Sequence, residues 1–301
     1  MNMSIPSSRD EIVQIARGDF NPGLVEINEE AIGDIEWPRG NFGPMVIGLH
    51  DIFENHADGA FAFLLLMTSI NYRFWRLSAG EFDRYAYGSK TGARALWLAF
   101  ESAWGEEPTS SGFKYRLAAD GVEGLFGDIP DPISRAVILD ELLHGDIDRV
   151  SADLVDEVRT RGEMKVGDAA RLAALFPAAF GDPYLKKAQL GLSLCAGFLR
   201  HQGLTVDTSD FTAFADYQVP RVLRALGILH YGSALALAVD QRSLIAPNSA
   251  EERAIRSASV LACERIGEHL GVSAAEIDNL LWHCQQVAGV AAFHLTETTW
   301  Y

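Results

Sequence analysis

The sequence predicts an all-α fold, mainly helical and two-lobed, as one domain over residues 1–301. Apolar residues recur at helical spacing along most of the chain, and alternating β-α units are absent. Two weak strand patterns, Glu81–Tyr87 and Phe113–Leu117, allow at most a small β-ribbon. The polar segment 105–112 is the clearest loop and a possible boundary between the lobes, or a lid over a cleft between them.

Helix starts and apolar spacing fix the expected elements. Ala60–Trp75 is apolar on most faces, which predicts a central buried helix. Asp131 before Pro132 is a cap followed by a proline, and Ser273 with Glu276 forms a capping box. The full set of predicted helices is Pro44–Asn55, Ala60–Trp75, Gly88–Trp104, Asp131–Leu143, Asp168–Phe180, Leu185–His201, Pro220–Leu229, Ala250–Leu270 and Ser273–Val287.

The net charge, the apolar segments and the cysteines limit the classes of partner and the cellular location that we expect. The net charge of −16, without a run of Lys and Arg, disfavours direct nucleic-acid binding, although one nucleotide phosphate needs only one or two local cations. The longest apolar run, Ala60–Met67, is too short to span a membrane, and Met1–Asp10 lacks the apolar stretch of a signal peptide. Three cysteines without a CxxC motif suit the reducing cytoplasm and disfavour a zinc site. We expect a cytoplasmic protein and favour a monomer.

The segment Phe214–Arg221 contains the best candidate for a catalytic group. Asp216 and Tyr217 precede Pro220, and apolar residues follow at helical spacing. Proline is tolerated in a first helical turn, so Asp216 is expected at or just before a helix N-terminus, where the helix dipole favours its ionised form. A fixed carboxylate can stabilise a developing cation or orient a water molecule. A helix cap is the alternative role.

Segments in the same order along residues 58–301 resemble the queuosine salvage family, the queuosine 5′-phosphate N-glycosylases. The Asp216–Arg221 stretch resembles the family's Asp-Tyr-Arg-x-Pro-Gln, with Gln218 in place of Arg and Arg221 in place of Gln. Ala254 and His283 are the other departures, each at a position where the family has an acidic residue. The remaining matching segments are Ile70–Trp75, Lys186–Gln189, Leu226–Tyr231, Glu252–Arg256, Asp278–Trp282 and Phe293–His294 with Tyr301.

The resemblance implies hydrolysis of the N-glycosidic bond of queuosine 5′-monophosphate, which releases queuine and ribose 5-phosphate. It also implies a fold similar to the helical DNA glycosylases, water as co-substrate and no cofactor. Asp216 is then the catalytic carboxylate that stabilises the cationic sugar and orients the water. Two alternatives stay open: a catalytically silent nucleotide-binding protein, and a glycosidase for a different modified nucleotide. A helical scaffold for a basic partner protein is a further rival.

The other candidate site residues are expected to bind the substrate. Lys186 and Lys187 begin an apolar helix, where cations oppose the helix dipole, so a phosphate ligand would explain their placement. The aromatic rings could stack on the base, although core packing is their ordinary role. The complete set is Tyr217, Lys186, Lys187, Asn71, Phe74, Trp75, His294 and Tyr301.

Three further features are expected to have structural roles. The tail 293–301 carries Phe293, Trp300 and Tyr301 and is expected to dock onto the body of the protein. Arg256 and Asp278 lie within predicted helices and are expected to form an internal ion pair or cap. Glu141 and His144 have the spacing of di-iron ligands, but a second copy of the motif is missing, so no metal site is expected.

Overall fold

The computed structural model describes residues 5–37, 49, 53–54, 56–106, 109–284 and 291–301. Helices dominate these residues, and the three sheets found there are two-stranded and antiparallel, which confirms the mainly helical class. The helices are α1 Arg9–Asp19, α2 Glu29–Asp34, α3 Ala57–Ser69, α4 Ala93–Trp104, α5 Ser110–Phe126, α6 Pro132–His144, α7 Ile147–Arg161, α8 Val166–Leu175, α9 Pro177–Phe180, α10 Lys186–His201, α11 Val219–Ala225, α12 Ser233–Asp240, α13 Ala250–Leu270 and α14 Ala274–Cys284. The strands are β1 Val25–Ile27, β2 Trp75–Ser78, β3 Glu81–Arg84, β4 Ala86–Tyr87, β5 Lys90–Thr91 and β6 Leu229–Tyr231.

The core surrounds α3, in which every residue except Asp58 is buried. Helices α7 and α10 pack against it. Gly191 permits the close approach of α10, because a Cβ atom there would lie 2.7 Å from the Thr68 hydroxyl and 3.1 Å from Leu65. The prediction of a central buried helix is therefore confirmed for its first part.

The end of that predicted helix is wrong. Helix α3 stops at Ser69, where the hydroxyls of Thr68 and Ser69 donate to main-chain carbonyls of the preceding turn. Arg73 then takes a left-handed conformation, with φ +36°. Trp75 begins β2 and pairs with Arg84 of β3. Phe74 and Trp75 consequently lie outside the helix, and Trp75 lies in a hairpin.

The predicted strand Phe113–Leu117 is also wrong, because it belongs to α5. Phe113 is buried between α4 and α5, with ring centroids 4.9 Å from Phe100 and 5.7 Å from Trp104. The partner of β3 is β2 instead. Burial of an aromatic face decides for the helix over the weak local strand pattern.

The remaining helix predictions differ mainly at their ends. Helix α13 has the predicted bounds, and Asp131 and Ser273 cap α6 and α14 as expected. Pro177 divides the predicted Asp168–Phe180 helix into α8 and α9. Most of the predicted helix 44–55 lies outside the described residues. Helices α1, α2, α5, α7 and α12 were not predicted.

The predicted loop 105–112 is shorter than expected, because α5 begins at Ser110 and packs against α4. A lobe boundary there stays a prediction. Among the described helices, none is long and apolar enough to cross a membrane.

Candidate active site

Asp216 lies just before α11, as predicted. Its Oδ1 accepts hydrogen bonds from the main-chain amides of Gln218 (2.7 Å) and Val219 (3.0 Å). Pro220 lies in the first turn of α11, where it needs no amide partner. Both bonds use Oδ1 and fix the carboxylate, so the capping role and a chemical role of Asp216 are compatible.

A lysine from α10 reaches the same region. Lys186 is only 4% exposed, and its ammonium donates to the main-chain carbonyl of Asn71 (3.3 Å). Burial raises the pKa of Asp216, and the charge of Lys186 is the largest opposing effect on that pKa. Burial in turn lowers the pKa of Lys186. The structure therefore brings Asp216 and Lys186, 30 residues apart in the sequence, into one electrostatic environment.

A second carboxylate, Asp278 of α14, joins this pair. It is buried and accepts a hydrogen bond from the amide of Phe214 (2.8 Å). Burial and then the charge of Asp216 raise the pKa of Asp278 well above its ordinary value. The anion of Asp216 is favoured by the charge of Lys186 and by two helix amides. The bond to Asp278 joins α14 to the loop residue Phe214, so it is neither the ion pair nor the helix cap that was expected for Asp278.

Lys187 has a different environment from Lys186. It is buried, with its ammonium 2.7 Å from the carbonyl oxygen of Ser69 and 5.1 Å from the ring centroid of Tyr72. Burial, followed by repulsion from Lys186, lowers the pKa of Lys187 well below its ordinary value. Phe74 also belongs to the main core, where it stacks on Tyr85. The structure does not bring these two predicted site residues beside Asp216.

An aromatic cluster lies next to Asp216. Tyr217 and Trp75 are buried there, and Tyr217 lies 4.7 Å from Phe293 and 6.3 Å from Tyr301 between ring centroids. Burial, assisted by the charge of Asp216, raises the pKa of Tyr217 to about 12, so its hydroxyl keeps its proton at neutral pH. The cluster places aromatic surface and a proton donor next to the candidate carboxylate.

The chain end docks onto the body, as predicted. The carbonyl oxygen of Tyr301 accepts from the amide of Arg73 (3.1 Å), and the Tyr301 hydroxyl lies 3.1 Å from Nε2 of His294. Burial lowers the pKa of His294 to about 3, so its imidazole is neutral at pH 7. Its Nδ1 has no hydrogen-bond partner among the described residues.

Arg256 joins three of these segments. Its guanidinium pairs with Asp182 at 2.7 Å, donates through Nε to the carbonyl of Ala215 (3.0 Å) and lies 4.6 Å from the ring centroid of Tyr301. The Asp182 carboxylate also accepts from the amide of Lys186 (2.7 Å). The predicted internal ion pair of Arg256 is confirmed. Asp182 was missed because it lies four residues before the first residue of α10, outside the cap position, which is Leu185.

The Glu141 and His144 spacing has a structural explanation. Both Glu141 carboxylate oxygens accept from the first amides of α9, at Ala178 (3.1 Å) and Ala179 (3.0 Å). His144 is exposed and pairs with Asp140. Within the described part of the chain, no three His, Cys, Asp or Glu side chains are grouped so that they could hold a metal ion.

This arrangement suits the stabilisation of a cation. A fixed carboxylate in a poorly solvated region interacts more strongly with a positive charge than it would in water. The phenol of Tyr217, which keeps its proton, supplies a proton donor. The aromatic cluster offers a surface for a planar group.

The comparisons with known proteins agree with this chemistry. Residues 183–301 match the family model of the queuosine salvage protein. A Sphaerobacter thermophilus protein named queuosine 5′-phosphate N-glycosylase/hydrolase is 29% identical over 262 residues, which cover 79% of this chain and 80% of the relative. A Mus musculus protein of the same name is 25% identical over 84% of this chain and 86% of the relative. A Schizosaccharomyces pombe protein with that name is 35% identical over 103 residues, 33% of this chain and 30% of the relative.

The matched residues contain Asp216, Lys186, Asp278, Arg256 and the docked tail. Through residues 183–301, the chain is similar to the queuosine salvage protein family.

Proposed function

We propose that this protein hydrolyses the N-glycosidic bond of queuosine 5′-monophosphate and releases queuine and ribose 5-phosphate. The observation that carries the proposal is the Asp216 carboxylate, held by two helix amides beside Lys186 and Asp278. Relatives that cover about four-fifths of the chain bear the name of this activity, which supports the choice of substrate.

In the proposed reaction the bond between the sugar's anomeric carbon and the base nitrogen breaks, and its electron pair leaves with the base. Positive charge develops on the anomeric carbon and the ring oxygen, where the Asp216 carboxylate stabilises it. A water molecule adds its oxygen to the anomeric carbon. One proton of that water goes to the departing base, and the other stays on the new anomeric hydroxyl, so that atoms and charges balance.

The charge of Lys186 opposes the effect of burial on Asp216. Burial raises the pKa of Asp216, whereas the charge of Lys186 and the amides of Val219 and Gln218 lower it. Without Lys186, desolvation would favour the neutral Asp216 more strongly, and a neutral carboxyl group cannot stabilise a cation. A contact between Lys186 and the substrate phosphate stays a prediction.

We propose that the aromatic cluster and the tail 293–301 supply contacts to the substrate. We assign stacking of the base to Trp75 or Tyr217, a contact that contributes about 1–3 kcal/mol per base in other proteins. His294 acts as a neutral hydrogen-bonding group, since its pKa of about 3 excludes a charge at pH 7. The half-buried Asn71 and the Tyr301 hydroxyl complete the proposed contacts.

The test compares the release of free base from queuosine 5′-monophosphate and guanosine 5′-monophosphate by mass-resolved chromatography. We expect queuine from the first and no base from the second. Asp216→Asn keeps the Oδ1 acceptor for the two helix amides, so the fold should persist. Its turnover should fall by at least about 100-fold. Asp153→Asn makes the same chemical change at an exposed position of α7 and should leave turnover unchanged.

The outcomes separate the alternatives. Turnover of Asp216→Asn within tenfold of wild type would refute the assigned mechanism. Tight binding of the queuosine nucleotide without release would indicate a silent binding protein instead. Release of another base would indicate a glycosidase for a different nucleotide.

We also propose that the protein is cytoplasmic and acts on a free nucleotide. The three free cysteines favour the reducing cytoplasm. The net charge of −16 favours a free nucleotide over a folded RNA as substrate. A monomer stays the expected state in solution.

A further inference from the structure

A cavity of about 400 Å³ is lined by the aromatic rings of Phe82 and Phe293 and by three arginines, Arg84, Arg221 and Arg242. Arg84 ends β3, Arg221 belongs to α11, and Arg242 follows α12. Segments distant in the sequence thus bring three guanidinium groups to one cavity.

The positive charge of this cavity is not balanced by acidic side chains. Among the described residues, Arg84, Arg221 and Arg242 have no carboxylate within the 4.0 Å of an ion pair, although the chain has 41 acidic and 25 basic residues. Asp240 lines the cavity, but both of its oxygens bind Arg224, at 2.7 and 2.9 Å.

The arginines are held in place by neighbouring groups. Arg221 is half-buried and donates through one terminal nitrogen to the side chain of Gln218 (3.0 Å), while its Nε is buried without a partner among the described residues. The Arg242 guanidinium lies 4.1 Å from the ring centroid of Phe82. Burial and repulsion from Arg84 lower the pKa of Arg221. An anion in the cavity would relieve that repulsion and satisfy the free N–H group.

We propose that this cavity binds a phosphate monoester carried by a sugar or a nucleoside. The planar guanidinium fork matches phosphate oxygens, and three such groups can surround one phosphate. The volume lies within the range of small-molecule pockets, and Phe82 and Phe293 supply apolar surface for the attached group. The inference goes beyond the proposed reaction, since it concerns binding and not bond cleavage.

The cavity adjoins the candidate active site. Phe293 lines it and also packs against Tyr217, the residue after Asp216, at 4.7 Å between ring centroids. The Phe293 ring is therefore shared by the cavity and the aromatic cluster next to Asp216. The described lining of the cavity does not include Lys186.

The experiment titrates ribose 5-phosphate, with ribose as its uncharged counterpart, into the full-length protein by calorimetry at low salt. We expect binding of ribose 5-phosphate and none of ribose. Arg221→Gln and Arg242→Gln should each weaken binding by about tenfold or more, as expected for charge-assisted hydrogen bonds. Arg149→Gln, an exposed arginine of α7, should bind as wild type does. Arg242 is itself exposed, so its variant keeps the test valid if Arg221→Gln misfolds.

The proposal would be overturned if wild type did not bind ribose 5-phosphate. It would also be overturned if the triple variant, with Arg84, Arg221 and Arg242 all replaced by Gln, bound ribose 5-phosphate as tightly as wild type.

A competition experiment identifies the source of the phosphate. Displacement of ribose 5-phosphate by a nucleoside 5′-monophosphate would assign the cavity to the nucleotide's own phosphate, and simultaneous binding of both would assign it to a separate sugar phosphate. The result does not depend on turnover, so failure of the proposed reaction leaves it readable.

Discussion

Replacement of Arg256 by methionine should destabilise the protein and disturb the candidate site together. The Arg256 and Asp182 side chains are 1% and 0% exposed, and their charged atoms are 2.7 Å apart. Glu252, one turn earlier in α13, lies 3.7 Å from the same guanidinium. Met has a similar length to the aliphatic part of arginine, so the substitution removes the charge and the hydrogen bonds while it keeps much of the volume.

The expected magnitude follows from the charges left behind. Arg256→Met leaves Asp182 and Glu252 buried without their cation, and removal of one partner from a buried ion pair costs about 3–5 kcal/mol. Loss of the bond to the Ala215 carbonyl and of the contact with the Tyr301 ring acts in the same direction. We therefore expect the free energy of unfolding to fall by about 3–5 kcal/mol.

Urea unfolding, followed by circular dichroism, measures this change. The control is Arg253→Met in the same helix, where the arginine pairs with Asp19 at 3.3 Å with side chains 41% and 24% exposed. An exposed pair contributes about 0–1 kcal/mol, so the control should change little. A loss below about 1 kcal/mol for Arg256→Met would refute the reasoning. Turnover should also fall in Arg256→Met, since the Ala215 carbonyl precedes Asp216.

Two further predictions concern pH and capping. The pKa of His294 is about 3 in the folded protein and near 6.5 in the unfolded chain. As the pH drops from about 6.5 towards 3, the unfolded chain therefore binds a proton that the folded protein does not bind, and the free energy of unfolding falls. Urea unfolding at pH 7, 6 and 5 measures how the free energy of unfolding depends on pH. His294→Gln should reduce this dependence by up to about 1.4 kcal/mol per pH unit. The same pH dependence in the variant and the wild type would contradict the assignment. Glu141→Ala, which removes the acceptors of Ala178 and Ala179, should cost about 1 kcal/mol of unfolding free energy. Glu123→Ala at an exposed position of α5 serves as its control, and an equal effect of both variants would argue against the cap.

Local signals predicted the fold well where they were strong. Asp131 before Pro132 and the Ser273–Glu276 capping box marked helix starts that the structure confirms. The predicted bounds of α13 are confirmed as well. Such signals work because a cap satisfies amides of its own helix and needs no distant partner.

Predictions failed where distant contacts decide the conformation. Phe113 is helical because its ring is buried against α4, and Trp75 is extended because it pairs with β3. The polar helix α7 was missed because its buried face, which includes Leu154 and Val158, becomes evident only with its partner α3. Weak intrinsic preferences yield to tertiary packing in each case.

The sequence by itself determined the helical class, the position of Asp216 at a helix start and the resemblance to the queuosine salvage family. Each depends on neighbours in the chain or on motifs in a fixed order. The tertiary structure alone decided that Lys186 and Asp278 share the environment of Asp216, that Lys187 faces other partners, and that three arginines line one cavity. Electrostatic and solvation effects depend on distance and burial in space, and the sequence does not specify these until the helices pack.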